Sequence, residues 1–242
     1  MIENPDMPRK APEWSVGRRR CAWANPSNPA YVEYHDREWG VPVHDDGKLY
    51  EMLLLECFQA GLSWECILNK RDAFREAFDG FDPRIIAGYG DEDVERLLSD
   101  PGIVRNRSKI VSAIGNARVF LDISRESGSF SEYIWGWTGG RTVHEYGVDR
   151  SDLSDRISED LRKRGMRFVG SVTVYSYLQA VGIVWSHGPD CFLFTEGGRR
   201  SSRRSSSGNR SSARMSPRIS SGRSRPTSPP SPRRASGRSP SR

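Results

Sequence analysis

The chain is poor in cysteine, with four in 242 residues: Cys21, Cys57, Cys66 and Cys191. In a chain long enough to bury a core, so few cysteines exclude a disulfide-stapled scaffold; thiols or metal ligands in a reducing compartment are expected. Long apolar runs are missing too. No stretch approaches the ~18 residues of a membrane helix, and the start of the chain, with Pro5, Pro8, Pro12, Arg18 and Arg19, lacks the apolar segment of a secretory signal. A cytoplasmic location follows as the expectation. Lysine and acid are wholly absent from residues 197–242, which hold 13 Arg, 16 Ser and 6 Pro. So little apolar surface cannot offset the entropy of ordering, so this tail is expected to be disordered. The same absence relocates the charge. The whole chain is formally +6, but without those 13 Arg, residues 1–196 hold 24 basic against 31 acidic groups, a net of −7. The basic character sits in the tail, and the part able to fold is mildly acidic. Three regions result: a loose leader over 1–19, one domain over 20–196, and the tail over 197–242.

Between the ends the pattern is helical. Leu49, Met52, Leu53 and Cys57 recur at helix spacing behind His44-Asp45-Asp46, which offers an N-cap. Short helices are expected over 63–70 and 72–78. Another opens at Asp82-Pro83, with proline at its first position, and Gly90 to Asp93 places acids ahead of a helix over 94–98. Ile110, Ile114, Ala117 and Leu121 mark one face of a longer helix over 105–124, and residues 129–137, 151–164 and 171–182 supply the last three. Period-two alternation is scarce, so the class is all-α.

Three features carry chemistry. His187 and Cys191 form an H-x3-C pair that one turn can present to a single ion, and Cys21 and His35 are candidates at the other end. Together they make a Cys2His2 set. Two thiolates neutralise Zn2+ and four protein ligands leave no open position, which makes such a site structural. It would close a loop of about 170 residues, at an entropic cost of a few kcal/mol that metal binding offsets. Spacing alone also permits two unrelated pairs, while Cys57 and Cys66 lie in apolar patterns and read as core thiols. Next, Trp23, Tyr34, Trp39 and Trp64 crowd together, as a Trp-rich core or as a cage for a flat or cationic ligand. Glu56 stands in an otherwise apolar helix, where a charge is costly unless it snorkels, pairs or meets a ligand. Finally, residues 97–110 read helix, Pro-Gly turn, helix. The free amides of the second helix form an anion site, with Gly102, Arg105, Arg107 and Lys109 as candidates for a DNA backbone. An ordinary helical turn with solvated bases is the alternative. Arg162, Lys163, Arg164 and Arg167 form a second basic cluster, open to a DNA contact or to a helix C-terminus.

Longer motifs carry a resemblance. Arg20-Cys21-Ala22-Trp23, the run Tyr34-His35-Asp36-Arg37-Glu38-Trp39-Gly40-Val41-Pro42 and the run Leu55-Glu56-Cys57-Phe58-Gln59-Ala60-Gly61-Leu62-Ser63-Trp64 resemble the 3-methyladenine DNA glycosylase I family. So do Gly102-Ile103-Val104-Arg105, Lys109-Ile110 with Gly115-Asn116-Ala117, the run 164–170 and the run 175–180. The likeness extends in order from about Arg20 to Cys191. It implies a helix-hairpin-helix DNA glycosylase fold with a structural zinc joining the two ends through Cys21, His35, His187 and Cys191. It places hydrogen-bonding groups of a base pocket on Glu56 and Tyr34, stacking walls on Trp64 and Trp23 with Trp39 behind them, and an intercalating residue on Leu62. Two departures stand out: Cys57-Phe58 replaces a more polar pair, and the stretch from Cys21 to His35 is one residue longer than usual.

The implied activity is base-excision repair. A monofunctional N-glycosyl hydrolase would flip 3-methyladenine out of alkylated double-stranded DNA and release it, with no lyase step because no lysine is placed to form a Schiff base. A monomer with one zinc per chain is expected, in a bacterial-type cytoplasm and associated with the nucleoid through DNA. Three rivals stand beside this reading: a non-catalytic DNA-damage-binding protein on the same scaffold, a glycosylase for another lesion, and a zinc module acting through its Arg/Ser-rich tail.

Overall fold

The computed structural model describes residues 16–194; the expectations for the leader before residue 16 and for the tail beyond residue 194 fall outside the described residues. Within that span the protein is mostly helical. Local caps start the helices. Asp45 accepts from the Lys48 amide to open α2 (Asp46–Gln59), Ser63 caps α3 (Trp64–Asn69), and α4 (Arg71–Ala77) follows directly. Asp82 caps the short α5 (Pro83–Ile86) with proline at its start. The Asp93 carboxylate accepts from the Gly90 amide at the head of α6 (Asp91–Ser99). Asn106 caps α7 (Arg107–Ser127), and Ser129 caps α8 (Phe130–Gly136). The last two are α9 (Asp152–Lys163) and α10 (Ser171–Ala180).

Two parts were not expected. A five-residue helix α1 (Pro29–Glu33) continues into a π-helical turn over Tyr34–Glu38, closed by the Trp39 amide donating to the Tyr34 carbonyl at 2.9 Å. Asn28-Pro29, an N-cap followed by proline, was its legible signal. A parallel pair of two-residue strands, β1 (Val143–His144) and β2 (Val184–Trp185), is too short for alternation to reveal. No helix among the described residues is long and apolar enough to cross a membrane.

Helix α2 is the centre. Every residue from Leu49 to Phe58 is buried, as expected of a helix covered on all sides; it packs against α7, α8 and α10. The N-terminal strap over residues 40–43 is laid on the end of α10 by the Gly40 and Val43 amides, which donate to Gln179 and Val181 carbonyls at 3.0 Å. Gly182 permits that approach. Its φ is +75° and a Cβ there would stand 2.4 Å from Pro42 N, which no side chain tolerates. Arg71 anchors the π-turn from the other side. It donates to both oxygens of Glu38 at 2.9 Å and to buried Glu51 at 2.8 Å. Against the opposing effect of burial, Arg71 and Lys48 hold both carboxyls below their usual range.

Lys109 corrects one expectation. It is buried, and its ammonium donates to the Phe58 and Ala60 carbonyls at 2.7 and 2.6 Å. It therefore satisfies the last carbonyls of α2, which a helix end leaves without partners, and is not free for a phosphate. Replacing it with methionine leaves those carbonyls bare. The expected loss is about 1–3 kcal/mol of unfolding free energy in urea titration, against less than about 0.5 kcal/mol for exposed Arg105→Ala.

Candidate active site and metal-ligand cluster

Tyr34 and His35 are adjacent, fully buried residues of the π-turn, and they serve two different places. His35 meets the metal-ligand candidates. Its Nε2 lies 3.5 Å from Cys191 Sγ, and His187 Nδ1 lies 3.4 Å from Cys191 Sγ and 3.6 Å from Cys21 Sγ. The four ligand atoms all fall within 4.8 Å of one another. A tetrahedral ion with bonds of about 2.3 Å to sulfur and about 2.0–2.1 Å to nitrogen would separate neighbouring S and N ligands by roughly 3.5 Å, so the spacing fits a metal. Behind them, His35 Nδ1 stands 2.7 Å from Asp36 Oδ1, and Arg20 grips Asp36 with two bonds of 2.8 and 2.7 Å. This leaves Nε2 turned toward the sulfurs, the outer support that metal-bound histidines need. The Cys191 thiol is pulled down, chiefly by the Cys21 hydrogen bond and further by His187 and His35, while Cys21 is pushed up. Two unneutralised thiolates do not coexist there; a divalent cation lifts that limit.

Tyr34 faces a cleft of about 630 Å³, inside the range of about 300–1,000 Å³ typical of small-molecule sites. Its ring centre is 5.0 Å from that of Trp64, tilted by 44°. Trp23, 38% exposed, stands at the mouth and meets Trp39 edge-on at 4.8 Å. Trp39 lines the cleft and also contacts His187 edge-on at 4.6 Å, so the aromatic wall continues into the metal-ligand cluster.

Glu56 lines the same cleft and is 3% exposed, so it does not snorkel. Its Oε2 has no hydrogen-bond partner, and neither has Trp64 Nε1. A buried polar atom without a partner is costly and calls for an explanation; a ligand that donates to it is one. Cys57 and Phe58 do not line the cleft. The Cys57 sulfur faces Asn116 Nδ2 at 3.6 Å, and Phe58 packs on Phe74 and Phe78. Successive helix residues diverge by about 100°, so this departure leaves the pocket wall untouched.

Other candidates are placed as follows. Leu62 is 40% exposed on the turn between α2 and α3, next to Gly61 at φ +80°. In the turn between α6 and α7, the Gly102 amide donates to Asp100 Oδ1 at 2.7 Å, and Lys70 holds the Pro101 and Gly102 carbonyls at 3.0 and 3.1 Å. The Gly102 amide is thus engaged internally. A Cβ there would stand 2.9 Å from Ala73 Cβ, so close packing requires the glycine. Arg105 and Arg107 are exposed, and Arg107 pairs with Glu95 at 2.5 Å. Much of the second basic cluster serves local pairs: Lys163 with Glu159, and Arg164 with Glu126 and Asp160. Sequence reasoning gave no role to Ser176 and Gln179, which also line the cleft; two polar residues three apart on the apolar α10 were the available signal.

A cleft walled by aromatic rings beside an unpartnered carboxyl oxygen can receive a flat ligand that donates hydrogen bonds. Comparison with known proteins narrows the class. The model of the methyladenine glycosylase family matches residues 23–194, and the chain belongs to that family. It is 44% identical over 182 residues to DNA-3-methyladenine glycosylase 1 of Escherichia coli (strain K12), covering 72% of this chain and 96% of that protein. A crystal structure of 3-methyladenine DNA glycosylase I superposes with a TM-score of 0.70 at 42% identity, covering 73% of this chain and 100% of that one. The Staphylococcus aureus enzyme, whose structure concerns 3-methyladenine recognition, gives 0.68 at 36% identity over 71% and 94%.

Burial pushes the Glu56 carboxyl up to about 8. The folded protein then keeps a proton that the unfolded chain, titrating near 4.3, has released, so stability falls as pH rises between about 4.5 and 8. Glu56→Gln removes that loss. The variant is expected to melt several degrees above wild type at pH about 8.5, with the gap closing near pH 4.5 in calorimetry.

Proposed function

We propose that the protein is a base-excision repair glycosylase that flips 3-methyladenine out of alkylated double-stranded DNA and hydrolyses its N-glycosidic bond. The observation that carries this is the unpartnered carboxylate oxygen of Glu56 beneath an aromatic wall. A methylated adenine is cationic. Its bond to the sugar is already weak because the base departs neutral, so recognition matters more than acid catalysis. Trp64 and Trp23 stack on the electron-poor ring, each contact contributing about 0.5–2 kcal/mol. The charge of the base draws off the proton that burial holds on Glu56, which then accepts from the N–H groups of the base and favours the cation, and Tyr34 adds a directed hydrogen bond. Unmodified adenine gains less from each of these, and selectivity is that difference. Leu62, at its exposed turn, fills the gap that the flipped nucleotide leaves.

Water attacks the sugar. Among the described residues no lysine lines the cleft, which supports hydrolysis without a Schiff base or strand nicking. The DNA backbone is gripped at the hairpin by exposed Arg105 and Arg107 and the first amides of α7. Cys21, His35, His187 and Cys191 hold one structural zinc, whose chemistry is to neutralise two thiolates and fasten the chain ends. The protein acts as a monomer in the cytoplasm.

Glu56→Gln is expected to lower single-turnover release of 3-methyladenine about 10- to 100-fold, the scale of one lost charged hydrogen bond. Chromatography of bases released from methylated DNA measures it, and near-wild-type release by a folded Gln variant would sink the role. Elemental analysis is expected to find about one zinc per chain, lost in Cys191→Ser; a stably folded, metal-free wild type would refute the site. Truncation after residue 196 should leave base release intact, whereas a protein working through its tail would lose its activity.

A further inference from the structure

Arg18, Arg19 and Arg20 run into Cys21 just ahead of the segment that the family model matches. The Phe192 amide donates to the Arg19 carbonyl at 2.8 Å and pins this short stretch to the loop that carries Cys191. The guanidinium carbons of Arg18 and Arg20 lie 4.7 and 6.0 Å from the centre of the Phe192 ring, and Arg20 is further tied to Asp36. Arg19 and Arg20 both line the cleft that holds Glu56; Arg20 is committed to Asp36, whereas the Arg19 side chain is 78% exposed. Its ion-pair neighbour is Asp190, at 3.5 Å and 83% exposed.

We propose that Arg19 is a phosphate-binding residue at the cleft rim, taking the backbone of the strand whose base enters the cleft. This rests on the reading of the cleft as a base pocket. A nucleotide whose base sits against Glu56 leaves its sugar and flanking phosphates at the rim, because a phosphate cannot follow the base into a buried carboxylate's surroundings. Residues 1–196 carry a net −7 and repel a polyanion, so local cations must supply the grip. At the hairpin Lys109 is committed inside, which leaves exposed Arg105 and Arg107; neither lines the cleft, so a phosphate at the cleft rim calls for a cation of its own. Arg19 has a backbone fixed in place, a fork of donors matched to phosphate oxygens, and only a solvent-exposed pair to give up. Asp190 is then its competitor: it holds Arg19 in the free protein and releases it to the strand.

The test uses the full chain and a duplex carrying an uncleavable abasic analogue, with affinity followed by anisotropy across a potassium chloride series. Arg19→Ala is expected to reduce the slope of log affinity against log salt by about 0.9, one phosphate's worth, and Arg19→Lys to retain most of it. Asp190→Asn is expected to tighten binding several-fold at low salt. Arg125→Ala, which removes a charge near the end of α7 and does not line the cleft, serves as the control for net charge and should leave the slope unchanged. Equal slopes for Arg19→Ala and Arg125→Ala, or no gain in Asp190→Asn, overturn the proposal. Binding of free 3-methyladenine, read by tryptophan quenching, separates the two readings. It should survive Arg19→Ala and fail in Glu56→Gln; if it is insensitive to Glu56, the pocket reading itself has failed.

Discussion

Cys21 and His35 sit against His187 and Cys191 from opposite ends of the described chain, and most of what surrounds the cleft is hung from that meeting. Trp23 follows Cys21 by two residues and Tyr34 precedes His35, so whatever fixes the ligand set also fixes the stacking wall and the hydroxyl. The π-turn gives the junction its shape. Its wider ring sends two consecutive buried side chains to different duties, in keeping with the habit of such turns to mark functional places. The supports lie outside the set: Arg20 through Asp36 on one side, Arg71 through Glu38 on the other. Arg20 also lines the cleft and Arg71 does not, and each constrains the turn that presents Tyr34.

Glu56 illustrates the opposite economy. Glu51, the other buried carboxylate residue among the described residues, is compensated by Arg71, Lys48 and Arg75. Glu56, five residues along the same helix, has been left its desolvation with no cation in reach. In the proposed function a cationic base brings the missing charge, and the deficit becomes selectivity because an uncharged ring does not repay it.

Much of the helical frame could be read directly. Asp45, Ser63, Asp82 and Ser129 stand at the expected starts of their helices because a cap is a local interaction between neighbours in the chain, whereas the helix expected from residue 105 starts at Arg107, behind its Asn106 cap. The π-turn could not be read, since its extra residue answers to partners far away in sequence. The four metal-ligand candidates suggest one Cys2His2 set, but spacing also permits two unrelated pairs, and it is the family resemblance that favours one cluster, as no local pattern reports a contact across the whole domain. Lys109 was misread for a similar reason. A lysine in a basic loop looks solvated until α2 is seen to end beneath it. Arg19 escaped notice because three consecutive arginines look equivalent in sequence, and only the Phe192 contacts distinguish them.

The Lys109 ammonium has a mechanical meaning as well. It is rooted in the first turn of α7 and bonded to the last turn of α2, so the hairpin and the helix bearing Glu56 share one rivet. A hinge between them is excluded unless two charge-assisted hydrogen bonds break together. In the proposed function that contact helps to hold the span from the hairpin to the carboxylate, so a strand gripped at the hairpin meets the cleft at a set distance and its own nucleotides do the bending.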